Sequence, residues 1–188
     1  MSLTKSFEDG LTRCGWLNED LIYREYHDRE WGTETKGQTA LFEGICLEGF
    51  QAGLSWLTIL KRRDGFRKAF HGFALEKVAA MADKDIERLM QDSSIIRNRA
   101  KINSAIKNAR VVLEQELDLT ELLWSFAPEV SLSPEQDFAW RATSPESDAM
   151  SKKLRSLGFS FVGSTTMYAL MQSTGMIQDH APGCFRRP

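Results

Sequence analysis

The chain is poor in the residues that staple or anchor small folds. Three cysteines in 188 residues, an odd number, argue against a disulfide framework and for a reducing cytoplasm. No apolar run approaches the roughly 18–20 residues of a membrane span, and the opening "MSLTKSFEDG" lacks the apolar segment of a secretory signal. No membrane partner is therefore expected, and residues 1–12 are expected to be a flexible N-terminal segment of one domain covering 1–188. A basic excess is missing as well: the net charge of −2 excludes a protein that coats nucleic acid by overall charge. Alternating runs of strand length, internal repeats and low-complexity segments are absent too.

Helical periodicity fills the chain instead. In "KINSAIKNARVVL" the residues Ile102, Ala105, Ile106, Ala109, Val112 and Leu113 form one stripe at spacings of three and four. "DKDIERLMQD" repeats the pattern with Ile86, Leu89 and Met90 behind Asp83 as a cap,. Ser144, Pro145 and Gly158 mark an N-cap, a first helical residue and a stop, and Asp118 with Glu121 resembles a capping box. The fold class is all-α.

Charge is unevenly spread. "KRRDGFRK" and "RNRAKINSAIKNAR" are basic, whereas residues 114–148 carry acids opposed only by Arg141. The second run follows a short turn pinned by Ile95 and Ile96, so residues of about 83–112 read as helix, hairpin, helix. A helix beginning after such a turn offers backbone N–H groups to a phosphate, and Arg97, Arg99 and Lys101 would reinforce it. A plain corner between two helices with solvated basic faces fits the same pattern.

Two constellations carry chemistry. Cys14, His27, His180 and Cys184 lie near the two ends of the chain, the last two at i and i+4 in "HAPGC". Two thiols and two imidazoles suit tetrahedral Zn²⁺, and four protein ligands leave no open position, which makes such a site structural. Only the last pair is local, so spacing alone also admits four unconnected residues. Five of the eight Trp and Tyr residues, Trp16, Tyr23, Tyr26, Trp31 and Trp56, crowd one stretch, and Glu48 interrupts the apolar face of "ICLEGF". A buried carboxylate needs a partner or a ligand. Rings around it suit a flat, cationic or amine-bearing molecule, while an aromatic core with an internally paired acid fits equally.

"RCGW", "LIYREYHDREWG", "LFEGICLEGFQAGLSWLTILKRR", "SIIRNRAKI", "LLWSF", "FVGSTTMYALMQSTG" and "DHAPGC", in this order, resemble the 3-methyladenine DNA glycosylase I family. The match runs from about Arg13 to Cys184 and is weakest in a linker around 127–142. The resemblance implies a helix-hairpin-helix glycosylase fold with a DNA-facing cleft and a structural zinc on Cys14, His27, His180 and Cys184. It also implies that Glu48 recognises the methylated base and is the candidate catalytic group. Tyr26 and Trp56 would wall the pocket, with Trp16, Tyr23 and Trp31 around them. Leu54, after Gly53, would fill the gap left by a flipped nucleotide. Ser94 and Ala100 stand where the family commonly has glycine, which puts the turn geometry in question if positive φ is needed there. The family lacks the aspartate that supports the sugar cation in the wider superfamily, and no residue here is assigned as base for water.

The implied activity is release of 3-methyladenine from alkylated double-stranded DNA by a monomeric enzyme. N3-methylation makes the base cationic and a good leaving group, so flipping and recognition carry most of the task. A damage reader that binds without cutting would share every motif. A zinc hydrolase using Glu48 as base would need an open metal position.

Overall fold

The computed structural model describes residues 2–132 and 134–188. Ten α-helices account for most of it: α1 Leu21–Arg29, α2 Gln38–Gln51, α3 Trp56–Leu60, α4 Arg63–Ala69, α5 Leu75–Ala79, α6 Asp83–Gln91, α7 Arg99–Glu114, α8 Leu119–Trp124, α9 Pro145–Leu157 and α10 Ser164–Ser173. The all-α expectation holds with one addition. Residues 1–12, expected to be flexible, contain a strand, β1 Thr4–Ser6, that pairs antiparallel with β2 Thr12–Cys14 in the register Thr4–Cys14. Three-residue strands leave too short an alternation to read from sequence, yet this pair holds Cys14 in place.

The caps explain where helices start. Ser144 accepts from Ser147 N, Pro145 occupies the first turn, and Gly158 ends α9 at φ 104°. Asp118 accepts from the amides of Thr120 and Glu121. For α6 the expectation shifts by one: Ala82 is the cap residue, and Asp85 reaches back to its N–H at 3.1 Å. On α7 the stripe Ile102, Ala105, Ile106, Ala109 and Val112 is buried, while Leu113 is 36% exposed.

That stripe faces α5, α9 packs on α10, and α10 packs on α2. The main core lies among these helices, with Phe42, Phe50, Phe66, Phe70 and Phe73 fully buried. A smaller apolar cluster, including Cys14, Tyr26, Trp31, Leu60 and Cys184, sits beside it. Trp56 packs against both, and Glu48, on α2, is 4% exposed. The helix stops at Ala52, and Gly53 at φ 80° turns the chain sharply, a conformation that favours glycine. Leu54 is thereby left 40% exposed.

Candidate functional site

The four predicted metal ligands come together. Their ligand atoms all lie within 4.8 Å of one another, and all four residues are buried. Cys14 Sγ is 3.7 Å and Cys184 Sγ 3.6 Å from His180 Nδ1, and Cys184 Sγ is 3.5 Å from His27 Nε2. A tetrahedral cation with sulfur at about 2.3 Å and nitrogen at about 2.0 Å spaces such atoms about 3.6 Å apart, so the set fits a metal ion. The outer partners fit too. His27 Nδ1 meets Asp28 Oδ1 at 2.8 Å, His180 Nε2 meets the Trp31 carbonyl at 3.2 Å, and the Ala181 amide donates to Cys14 Sγ at 3.3 Å. These contacts fix which nitrogen of each ring is left for the cation.

Against this cluster stands a cavity of about 330 Å³, within the size range of small-ligand sites. Trp16, Tyr23, Tyr26, Trp31, Glu48 and Trp56 all line it. Its rings are braced by the ligand histidines: Trp31 lies 4.6 Å from His180, and Trp16 lies 5.5 Å from His27 and 5.2 Å from Trp31. Gly32 allows this approach, since a Cβ at its φ of 76° would come 3.0 Å from His180 Nε2. Tyr26 packs at 5.5 Å against Trp56.

The polar groups of the cavity are unusual. Glu48 Oε2, Trp56 Nε1 and Trp140 Nε1 are buried and have no hydrogen-bond partner among the described residues. Buried polar groups are paired in the great majority of cases, so three orphans around one cavity mark where a ligand supplies the bonds. Burial pushes the Glu48 pKa up to about 8, against a smaller opposing pull from the Ser173 hydroxyl. Burial also raises the Tyr23 phenol to about 12 and keeps Tyr26 protonated, with Glu48 adding to both. A cation entering here would draw Glu48 back to its charged form.

The model of the family described as methyladenine glycosylase matches residues 16–187. The chain belongs to that family. It is 47% identical over 180 residues to the DNA-3-methyladenine glycosylase 1 of Escherichia coli K12, covering 93% of this chain and 96% of that protein. A crystal structure of a 3-methyladenine DNA glycosylase I superposes with TM-score 0.88 at 42% identity, covering 94% of this chain and all of that one. A Staphylococcus aureus 3-methyladenine DNA glycosylase I, studied for recognition of 3-methyladenine, superposes with TM-score 0.84 at 31% identity over 91% of this chain and 94% of its own.

In this methyladenine glycosylase the hairpin residues divide. Arg97 is exposed, with no ion pair among the described residues. Arg99 is engaged by Glu87 through two bonds of 2.8 and 3.0 Å. Lys101, expected at a phosphate, is 8% exposed, and its Nζ donates to the carbonyls of Phe50 and Ala52 at 2.8 and 2.6 Å. It satisfies the C-terminal carbonyls of α2 with a positive charge and so braces the Gly53–Leu54 turn. Its amide is also taken, by Asn98 Oδ1 at 3.1 Å. Neither Ser94 nor Ala100 has positive φ: Asp92 Oδ1 accepts from the Ser94 amide and hydroxyl, and Ala100 lies within α7. The other basic run is largely spent internally, with Arg63 on Glu30, Arg67 on Glu43 and Lys61 on Asp20.

Sequence reasoning missed the far wall of the cavity. Trp140, Arg141, Gln51 and Gln172 line it. Trp140 lies in the stretch read as a linker, where a tryptophan among acids was the available signal. Gln172 interrupts the apolar helix "MYALMQS" much as Glu48 interrupts α2.

Proposed function

We propose that this family member is a DNA-3-methyladenine glycosylase, a hydrolase that releases 3-methyladenine from alkylated DNA by cleaving its N-glycosyl bond. The observation that carries the reading is the aromatic cavity in which Glu48 Oε2 and two indole N–H groups have no partner among the described residues. A flipped adenine brings an exocyclic amine for the carboxylate and ring nitrogens for the indoles. Its N3-methyl group brings a positive charge that aromatic faces and an ionised Glu48 both attract.

Tyr26 and Trp56 would hold the base, with Trp16, Tyr23 and Trp31 behind them. Leu54 would occupy the gap in the duplex, with Gly53 setting its turn and Lys101 holding that turn from behind. Arg97 and the first-turn amides of α7 would meet a backbone phosphate, and Arg99 would do so only by leaving Glu87. The cation at Cys14, His27, His180 and Cys184 would be Zn²⁺ with a structural role, because four protein ligands close the tetrahedron. Two thiolate ligands fit a reducing compartment such as the cytoplasm. Every wall of the site comes from one chain, so a monomer suffices on double-stranded DNA.

Chromatography of bases released from methylated duplex DNA tests the reading. Free 3-methyladenine is expected. Tight binding of such DNA with no released base would make the protein a damage reader and overturn it.

A further inference from the structure

Gln172 lines the cavity, and both its main chain and its side chain are clamped. Its carbonyl accepts from the Gly32 amide at 3.1 Å, and its Nε2 donates to Asp179 Oδ2 at 2.8 Å. Asp179 is 6% exposed, and the same Oδ2 accepts from Tyr168 OH at 2.6 Å. Burial, the bond to Asp179 and its negative charge raise the Tyr168 pKa, so that hydroxyl keeps its proton and goes on donating. A carboxylate offers only lone pairs to an amide. Turning the Gln172 amide over would set Oε1 against Oδ2 at the 2.8 Å now bridged by a hydrogen bond. The amide therefore has one permitted orientation, with NH₂ on Asp179. Its Oε1 has no partner among the described residues.

We propose that Gln172, with its amide orientation locked by Asp179, selects amino over keto purines by presenting only an acceptor to the bound base. This inference rests on the glycosylase reading above and deepens it. Glu48 in its ionised form is also acceptor-only, so the cavity holds two acceptors that a 6-amino group can meet with its two N–H bonds. A 6-keto purine such as 3-methylguanine brings a lone pair to the same place and leaves both oxygens unpaired. Asp179 is a positioning residue, because it acts on the base only through Gln172.

The experiment follows 3-methyladenine and 3-methylguanine released under single turnover from the same methylated DNA. Each variant is checked for melting temperature and metal content, since Asp179 adjoins His180. Gln172→Met removes the acceptor and keeps the helix. It should lower the ratio of 3-methyladenine to 3-methylguanine release roughly tenfold, the loss of one hydrogen bond in a closed site. Asp179→Asn takes the charge from the acceptor that holds the Gln172 amide, loosening its orientation, and should lower the ratio in the same direction but by less. The extra amine of 3-methylguanine at C2 is common to parent and variants, so it cancels in the comparison. A general loss of structure would slow both bases and leave their ratio alone. An unchanged ratio in folded Gln172→Met overturns the inference, whatever Asp179→Asn does. If the parent itself releases neither base, the glycosylase reading fails and the inference falls with it. Release of 3-methyladenine by the parent with an unmoved ratio in the variant sinks the inference alone.

Discussion

The metal cluster and the base cavity are neighbouring buried polar regions that share rings, yet they are finished differently. Around Cys14, His27, His180 and Cys184, Asp28 and the Trp31 carbonyl meet the ring nitrogens that face away from a cation, and the Ala181 amide donates to the Cys14 sulfur. Around the cavity, Glu48 Oε2 and the indole nitrogens of Trp56 and Trp140 have no partner among the described residues. Polar burial costs free energy unless bonded, so the saturated cluster adds to stability while the unsaturated one subtracts from it. The difference separates scaffold from site: one region has the donor set that a metal ion would close, and the other has polar atoms for a ligand to meet.

The strongest way to break the contrast is to open the saturated side. Cys184→Ser should lose stoichiometric metal, measured by metal analysis, and cost about 3–5 kcal/mol, roughly 10 °C of melting temperature. Because Trp16 and Trp31 pack edge-on against the histidines, affinity for the free base should fall too. Full metal retention would remove the assignment.

Glu48→Gln acts on the unsaturated side and should do the opposite to stability. The folded state holds the Glu48 carboxyl at about 8, above its ordinary 4.5, so folding is penalised wherever the unfolded chain has released that proton. The penalty begins near pH 4.5, grows by roughly 1.4 kcal/mol per pH unit, and levels off above pH 8. Melting curves should thus show Glu48→Gln gaining on the parent as pH rises through this window, with no gain below it. Binding of free 3-methyladenine should weaken by about 1.5–3 kcal/mol. A variant that binds the base as tightly as the parent would make Glu48 a structural acid.

Leu54→Ala sharpens the contrast at the rim. At 40% exposure the truncation should cost less than about 1 kcal/mol, against about 2–5 kcal/mol for a core leucine such as Leu89. It should slow excision from duplex DNA and leave free-base binding nearly intact. Destabilisation of core size, read by denaturant titration, would return Leu54 to the core.

The smallest effect belongs to the hairpin. Arg97→Ala should flatten the salt dependence of DNA binding by roughly one unit of log–log slope, and Arg99→Ala by less, because Glu87 competes for it. Equal slopes for Arg97→Ala and the parent would place the phosphate contacts elsewhere.

The helices were legible because their information is local. The apolar stripe of α7, the Ser144–Pro145 start and the Gly158 stop are set by neighbours a turn away. The metal ligands were half legible, since His180 and Cys184 are local to each other, whereas Cys14 and His27 join them only through the fold. Lys101 shows the limit of a charge pattern. Its place in a basic run suggested a phosphate, but two carbonyls at the end of α2 claim it, and no local rule connects residues so far apart in the chain.

By itself the sequence determined the helical class, most of the helix ends, and the inventory of rings, thiols and acids from which a site could be made. These follow from periodicity and capping, which operate over a few residues. Only tertiary structure decided which polar groups are satisfied. The Trp31 carbonyl meets His180, Asp179 fixes Gln172, Trp140 returns from the stretch read as a linker, and at the centre Glu48 Oε2 has no partner among the described residues. A hydrogen bond closes over about 3 Å in space with no regard for separation along the chain, so whether a group is spent or free for a ligand is settled by packing.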